Sequence, residues 1–396
     1  MRIALIADAY PPMRTSGAVQ LRDLSLEFVR QGHAATVMIP SSDLKQPWSL
    51  EDMNGVRILR LKAPHTKDIG HVQRTVNEFL LPFIMLRNLR KSPLSNERWG
   101  GVVWYSPTIF LGPIANALKK ASACRSYLII RDIFPEWAVD MQLLNRGLVY
   151  RFFKAIEHYQ YSVADVIGVQ TSANLRYFDH WAKQSGKRVE VLQNWLADAP
   201  KVGSSISVAD GPLAGRTIFV YAGNMGIAQG MDILLDLAER LLSRCDIGFL
   251  FVGRGSDAQR LRDDAKARGL NNVVFHDEID PSEIPSLYAQ CHVGIVALDS
   301  RHKTHNIPGK FLSYMQSGLP VLASINPGND LADLIQKECV GRVCTDHSVD
   351  TLQRLVLELA DEIASDKSTA VHCRALSAKL FSPEMTVRQI TAALDG

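Results

Sequence analysis

Short apolar runs alternate with amphipathic stretches along most of the chain, and turn residues separate the two. In the first half, Ile3–Ala7, Ala35–Ile39, Val56–Leu61, Gly101–Tyr105, Ser126–Ile130, Val166–Gln170 and Val189–Leu192 read as short strands. Such near-continuous apolar runs suit parallel strands covered on both faces. Between them, Val19–Gln31, Val72–Arg90, Pro113–Lys120, Leu148–Ser162 and Ala173–Trp181 carry helical spacing. Strand, glycine-bearing loop, helix and strand open a Rossmann-like domain over residues 1–196. Residues 197–215 turn small and polar and read as a linker. The alternation then restarts, with Thr217–Ala222, Ile247–Val252, Val273–Phe275, Val293–Ala297 and Val321–Ala323 as strands. This second Rossmann-like domain spans 216–380, and residues 381–396 form a last helix.

The chemistry concentrates at the carboxyl ends of these strands, where open α/β sheets place their ligands. The segment Asn306–Ala323 joins a Pro308-Gly309 loop to a helix beginning at Lys310, which Gly318 and Pro320 end. A helix N-terminus with a lysine in its first turn suits phosphate or diphosphate; the alternative is a core helix with a solvated lysine. A glycine-rich turn, Gly223 to Gly230, follows one strand and can bring backbone amides against phosphate. Gly253-Arg-Gly-Ser-Asp-Ala follows the next and can be read as a dinucleotide fingerprint, with Asp277 and Glu278 as ribose-binding acids. It lies after the second strand of its domain, which favours phosphate over NAD. In the first domain, Asp132 and Glu136 are carboxylates able to take a proton from an acceptor hydroxyl, or else a salt bridge or a helix cap.

Pro-x-Lys-x-x-x-Tyr-Met-x-x-Gly-x-Pro-Val, residues 308–321, resembles the donor-binding helix of family-4 retaining glycosyltransferases. The likeness is closest to bacterial L-fucosamine transferases of O-antigen and exopolysaccharide synthesis, and covers nearly the whole chain. It implies the GT-B fold, two facing Rossmann-like domains with a C-terminal helix crossing back to the first. It also implies transfer of a sugar, an acetamido sugar by the subgroup, from a UDP-sugar without a metal or other cofactor. Gly17 matches the family's first glycine loop, and Arg254 and Lys310 match the residues that support the leaving diphosphate. Gly223, Asn224, Gly226, Gln229 and Gly253 fall in the phosphate turns, His276 and Asp277 in the loop reading the base, and Ile307 and Ser313 beside the donor helix. The chain departs from the family in three segments, the first being Gln193-Asn194-Trp195, where the family usually has Pro-Asn-Gly. Asn224 and Gln229 stand where many members have Arg and Lys, and His305 and Ser313 replace the paired glutamates.

Composition narrows the alternatives. With 396 residues, 46% hydrophobic and 21% charged, the chain expects two globular domains, and a formal charge of +3 gives no case for nucleic acid. Six scattered cysteines, no signal peptide and no long apolar run lead to the expectation of a reduced, cytoplasmic protein. His302 and His305 lack a third metal ligand, and no Asp-x-Asp motif is present. Residues 57–91 hold eight Lys and Arg against two acids, beside a dense apolar cluster from Phe79 to Leu86. This suits either a core helix with a solvated edge or an anionic membrane surface, and relatives that use lipid-linked acceptors favour the membrane. A UDP-sugar 2-epimerase, an NAD-dependent dehydrogenase and a non-catalytic partner protein are the competing expectations.

Overall fold

The computed structural model describes residues 1–396 except 14, 68, 107, 185, 199–201, 300, 302–306 and 366–367. Packing divides the chain into unit 1, Met1–Trp195 with Pro383–Gly396, and unit 2, Leu196–Ser382.

Unit 1 opens with β1 (Arg2–Ile6), α1 (Ser16–Arg30), β2 (Ala34–Ser41), β3 (Trp48–Met53) and β4 (Val56–Lys62). It continues through α2 (His71–Leu89), β5 (Gly101–Ser106), α3 (Gly112–Ser122), β6 (Arg125–Ile130) and α4 (Glu136–Asp140). Next come α5 (Leu148–Val163), β7 (Val166–Val169), α6 (Asp179–Ala182) and β8 (Arg188–Val191). Its sheet runs β3-β4-β2-β1-β5-β6-β7-β8, parallel except for the edge pair β3 and β4. That hairpin turns at Asn54 and Gly55, both at positive φ, which asparagine and glycine adopt most readily.

Unit 2 is built from β9 (Thr217–Ala222), α7 (Asp232–Arg240), β10 (Ile247–Val252), α8 (Ala258–Ala267) and β11 (Val273–His276). After α9 (Ile284–Tyr288) come β12 (Val293–Ala297), α10 (Gly309–Ser317), β13 (Val321–Ser324), α11 (Asp330–Lys337) and β14 (Gly341–Cys344). The helices α12 (Val349–Ser365) and α13 (Ser368–Leu380) complete it, and α14 (Pro383–Asp395) belongs to unit 1. All six strands are parallel in the order β11-β10-β9-β12-β13-β14. The order reverses between β9 and β12, and such a reversal opens a crevice at the strands' carboxyl ends.

The central strands sit where their apolar runs predict, because they are buried on both faces: β5 and β10 are buried at every residue, whereas β3, β8 and β11 are partly exposed. The stretch expected as a linker differs. Ile206 and Leu213 are buried in the core of unit 2, and the Gln290 side chain bonds both Ile206 O and the Val208 amide, at 3.0 and 2.9 Å. A few apolar residues anchor an otherwise polar segment. α14 buries Val387, Ile390 and Leu394 in the core around β1. Gly101 leaves the space that Leu394 fills, since a Cβ there would lie 2.6 Å from its methyl.

Candidate functional site

In unit 2, β9 and β12 pair only at Phe219–Val293 and Val220–Gly294 and then separate. Tyr314 of α10 occupies the opening. Its hydroxyl donates toward the carbonyls of Val220 and Ile295, at 3.0 and 3.2 Å, one on each diverging strand. Its ring lies where Gly294 has no side chain, since a Cβ there would come within 2.4 Å. This anchor fixes α10 at the crevice, with Lys310 in its first turn.

The Lys310 ammonium sits 3.7 Å from the centre of the Tyr221 ring. Its methylene chain lies against Gly223, where a Cβ would stand 3.3 Å from Cε. No carboxylate among the described residues pairs with it. Desolvation pushes its pKa down to about 7. A cation held over an aromatic face without a counter-ion leaves an opening for an anion.

The glycine turns beside it form one backbone layer. Gly223 N donates to Val252 O at 2.9 Å, Met225 N to Arg254 O at 2.7 Å, and Gly253 N to His276 O at 3.0 Å. Gly253 and Gly255 adopt φ of +144° and +151°. A Cβ on them would lie 2.0 Å from Gly223 O and 2.2 Å from Met225 O. These glycines therefore serve the close approach of neighbouring loops, which accounts for the apparent dinucleotide fingerprint without a dinucleotide. In the next loop Gln229 Oε1 accepts from Gly226 N and Asn224 Nδ2, at 3.0 and 3.2 Å. The two residues that stand in place of cations brace the turn.

Arg254 is exposed and pairs with Glu278 at 3.0 Å. His276 and Asp277 follow on the same edge. Burial and the neighbouring Arg262 lower the His276 pKa, and Asp277 accepts from Arg262 at 2.9 Å. Ile307 is buried in the core, and Ser313 Oγ donates to Gly309 O at 3.4 Å within its own helix. Asn306, His302 and His305 lie outside the described residues.

In unit 1, Gly17 occupies the first turn of α1, after Thr15, whose hydroxyl caps the Ala18 amide at 3.3 Å. A Cβ on Gly17 would make an ordinary 3.6 Å contact with Tyr105, so the backbone does not demand glycine there. Asp132 stands exposed just beyond β6. Glu136 is already committed, accepting from Tyr150 at 2.9 Å and pairing with Lys154 at 3.1 Å. Lys154 also pairs with Glu157, whose pKa burial raises to about 7.

Arg131 turns inward from the sheet edge. It is buried, donates to Leu192 O at 2.8 Å and lies 4.8 Å from the Trp195 ring centre. It ties the end of β6 to the chain beyond β8. Another group escaped the sequence reading: at the end of β1, burial raises the Asp8 pKa against the opposing charges of Lys67 and Arg74. Arg74 also pairs with Glu78 at 2.8 Å, so α2 reaches this edge with a cation and an acid. Each of these residues looks ordinary alone, and only their position at a strand end distinguishes them.

Residues 216–362 match the family of group 1 glycosyl transferases. The matched segment holds β9 through α12, and thus Lys310 and all the glycine turns. WbjE of Pseudomonas aeruginosa, described as a probable glycosyltransferase, is 24% identical over 258 residues, 62% of each chain. WcaI of Escherichia coli strain K12, described as a colanic acid biosynthesis glycosyl transferase, is 21% identical over 323 residues, 76% of each chain. The crystal structure of Anabaena HepE in complex with UDP-glucose superposes with a TM-score of 0.68 at 14% identity, over 99% of both chains. The fold is GT-B, with two parallel-sheet Rossmann-like domains. Among the described residues no helix is long and apolar enough to cross a membrane, and no group of three metal-binding side chains occurs.

Proposed function

We propose that the protein is a retaining glycosyltransferase of bacterial surface polysaccharide synthesis. It moves a sugar, an acetamido sugar by its likeness to the fucosamine transferases, from a UDP-sugar to a polyprenyl-diphosphate-linked saccharide. The observation that carries this reading is the Lys310 ammonium, held over Tyr221 without a carboxylate partner among the described residues. A diphosphate supplies the missing charge, and the α10 N-terminus and Gly223 turn offer amides beside it.

In the reaction the acceptor oxygen bonds to the anomeric carbon as that carbon's bond to the diphosphate breaks. The diphosphate leaves with the electron pair, from the face on which the acceptor enters. Negative charge grows on the leaving oxygens, where Lys310 and Arg254 stabilise it more strongly than in the bound donor. Arg254 exchanges its Glu278 partner for phosphate in this step. Asp132, on the exposed sheet edge, orients the acceptor hydroxyl and takes its proton as the new bond forms, and Glu136 holds the fold around it. No metal or organic cofactor is required. HepE in complex with UDP-glucose supports UDP as the donor carrier, and the description of WcaI supports polysaccharide as the product class. Exposed apolar faces on α2 and α5 support a place at the inner surface of the cytoplasmic membrane.

Calorimetric titration with UDP, GDP and NAD, without metal, tests the reading. UDP binding that is lost in Lys310→Ala supports it and opens a screen of UDP-sugars with lipid-linked acceptors. NAD binding in place of UDP overturns it in favour of a dehydrogenase. Conversion of a UDP-sugar without acceptor points instead to an epimerase.

A further inference from the structure

Unit 1 carries an apolar groove of about 340 Å³ between α2, α3 and α5, lined by Phe79, Phe83, Phe110, Pro113, Phe152 and Ile156 among others. Two of these helices, α2 and α5, turn large apolar side chains to solvent. On α2 these are Val72 (81% exposed), Val76, Phe79, Leu80 and Phe83, a single face at helical spacing. On α5 they are Leu148 (82% exposed), Val149 and Phe152. Rings connect the two faces, with Phe79 and Phe152 6.2 Å apart. The ring row continues through Phe153, 5.5 Å from Phe152, to Phe134, 5.0 Å further on. Phe134 is two residues beyond Asp132. An aromatic track thus runs from the groove to the exposed acid at the sheet edge.

We propose that this groove seats the hydrocarbon chain of a prenyl-phosphate lipid, the anchor of the acceptor. The proposal rests on the transferase reading for the acceptor's identity, although chain binding can be measured without it. Three features select a single anionic lipid. The lining is carbon, so a polar peptide gains no hydrogen bond there. The volume takes roughly ten groups of methylene size, enough for part of one chain. Arg87, one helical turn beyond Phe83 on α2, and Arg151, one turn before Ala155 on α5, are exposed and form no ion pair with the described residues, which sets positive charge beside the groove for an anion.

Calorimetry with farnesyl phosphate below its aggregation concentration tests the proposal, with inorganic phosphate as the control. Farnesyl phosphate binds and inorganic phosphate does not. Ala155→Trp, which fills the groove from an exposed position, weakens that binding by about tenfold or more, the weight of a few buried methylenes. Phe83→Glu, at a half-exposed position, does the same, and both variants keep UDP affinity because unit 2 is untouched. Three results overturn the proposal. The first is farnesyl phosphate binding unaffected by either variant. The second is binding to phosphatidylglycerol vesicles that Phe83→Glu abolishes, without any binding of the single chain, which assigns the face to the membrane surface. The third is a concentration-dependent dimer broken by Phe83→Glu, which assigns it to a second copy. Loss of UDP binding in the wild type would end the transferase reading and leave the groove result standing.

Discussion

Replacing Lys310 by methionine separates what the residue costs the fold from what it gives the ligand. Below about pH 7 the amine is protonated in both the native and the unfolded chain, and the burial cost is fully present. Between about 7 and 10.4 the unfolded chain binds the extra proton, so stability rises with pH. The displacement from 10.5 to about 7 sets a ceiling of about 5 kcal/mol. Partial solvent access and the Tyr221 ring face reduce it to about 1–3 kcal/mol. Lys310→Met is therefore more stable than wild type by that amount at pH 6–7 in urea unfolding, and the gap closes toward pH 10. Ligand binding responds in the opposite sense. The protonated fraction of an amine titrating near 7 falls about fifteenfold from pH 7 to 8.5, and UDP affinity falls with it. A terminal phosphate with a second pKa near 6 is ionised throughout that window, so the protein supplies the change. Calorimetry in two buffers of different ionisation enthalpy should show proton uptake on binding at pH 7.5. Equal affinity at pH 7 and 8.5, with unimpaired binding to Lys310→Met, would refute the reasoning.

Gly255→Ala sets a Cβ on Met225 O at a positive φ, and should cost about 2–4 kcal/mol in urea unfolding while lowering UDP affinity. Tyr314→Phe leaves the Val220 and Ile295 carbonyls without their hydroxyl; about 1–3 kcal/mol of stability should go, and UDP affinity should drop as Lys310 loses its fixed position. Asp132→Asn should reduce turnover at saturating acceptor by tenfold or more, about the least that general-base assistance gives, with UDP affinity unchanged. Glu136→Gln keeps the Tyr150 contact, so its turnover should stay near wild type and its loss appear as stability.

The sheet strands were legible because double burial writes them as unbroken apolar runs. The edge strand β3 was not, although Asn54-Gly55 marks its hairpin, because its half-exposed residues make no such run. The helices α8, α11 and α13 escaped for the same reason: they are short or polar and take stability from one buried stripe. At the site, Lys310 was legible from its place after a Pro-Gly loop. The engagement of Glu136 was not, since Lys154 and Tyr150, which claim it, lie more than a dozen residues away. The apolar groove was half legible. The α2 face shows in the sequence, whereas the exposure of Leu148 and Phe152 on α5 does not, since helical spacing alone does not tell a covered apolar face from an open one.

The return of α14 to unit 1 orders events on the ribosome. Residues 1–195 emerge with a gap beside Gly101 and uncovered apolar side chains on α1, which Val387, Ile390, Ala393 and Leu394 close. Unit 2 is contiguous and complete in the meantime. At 5–20 residues per second, the roughly 190 residues between delay the closure of unit 1 by about 10–40 s. The domain translated first is thus finished last, and a chain released before residue 383 leaves a folded unit 2 attached to an open, aggregation-prone unit 1.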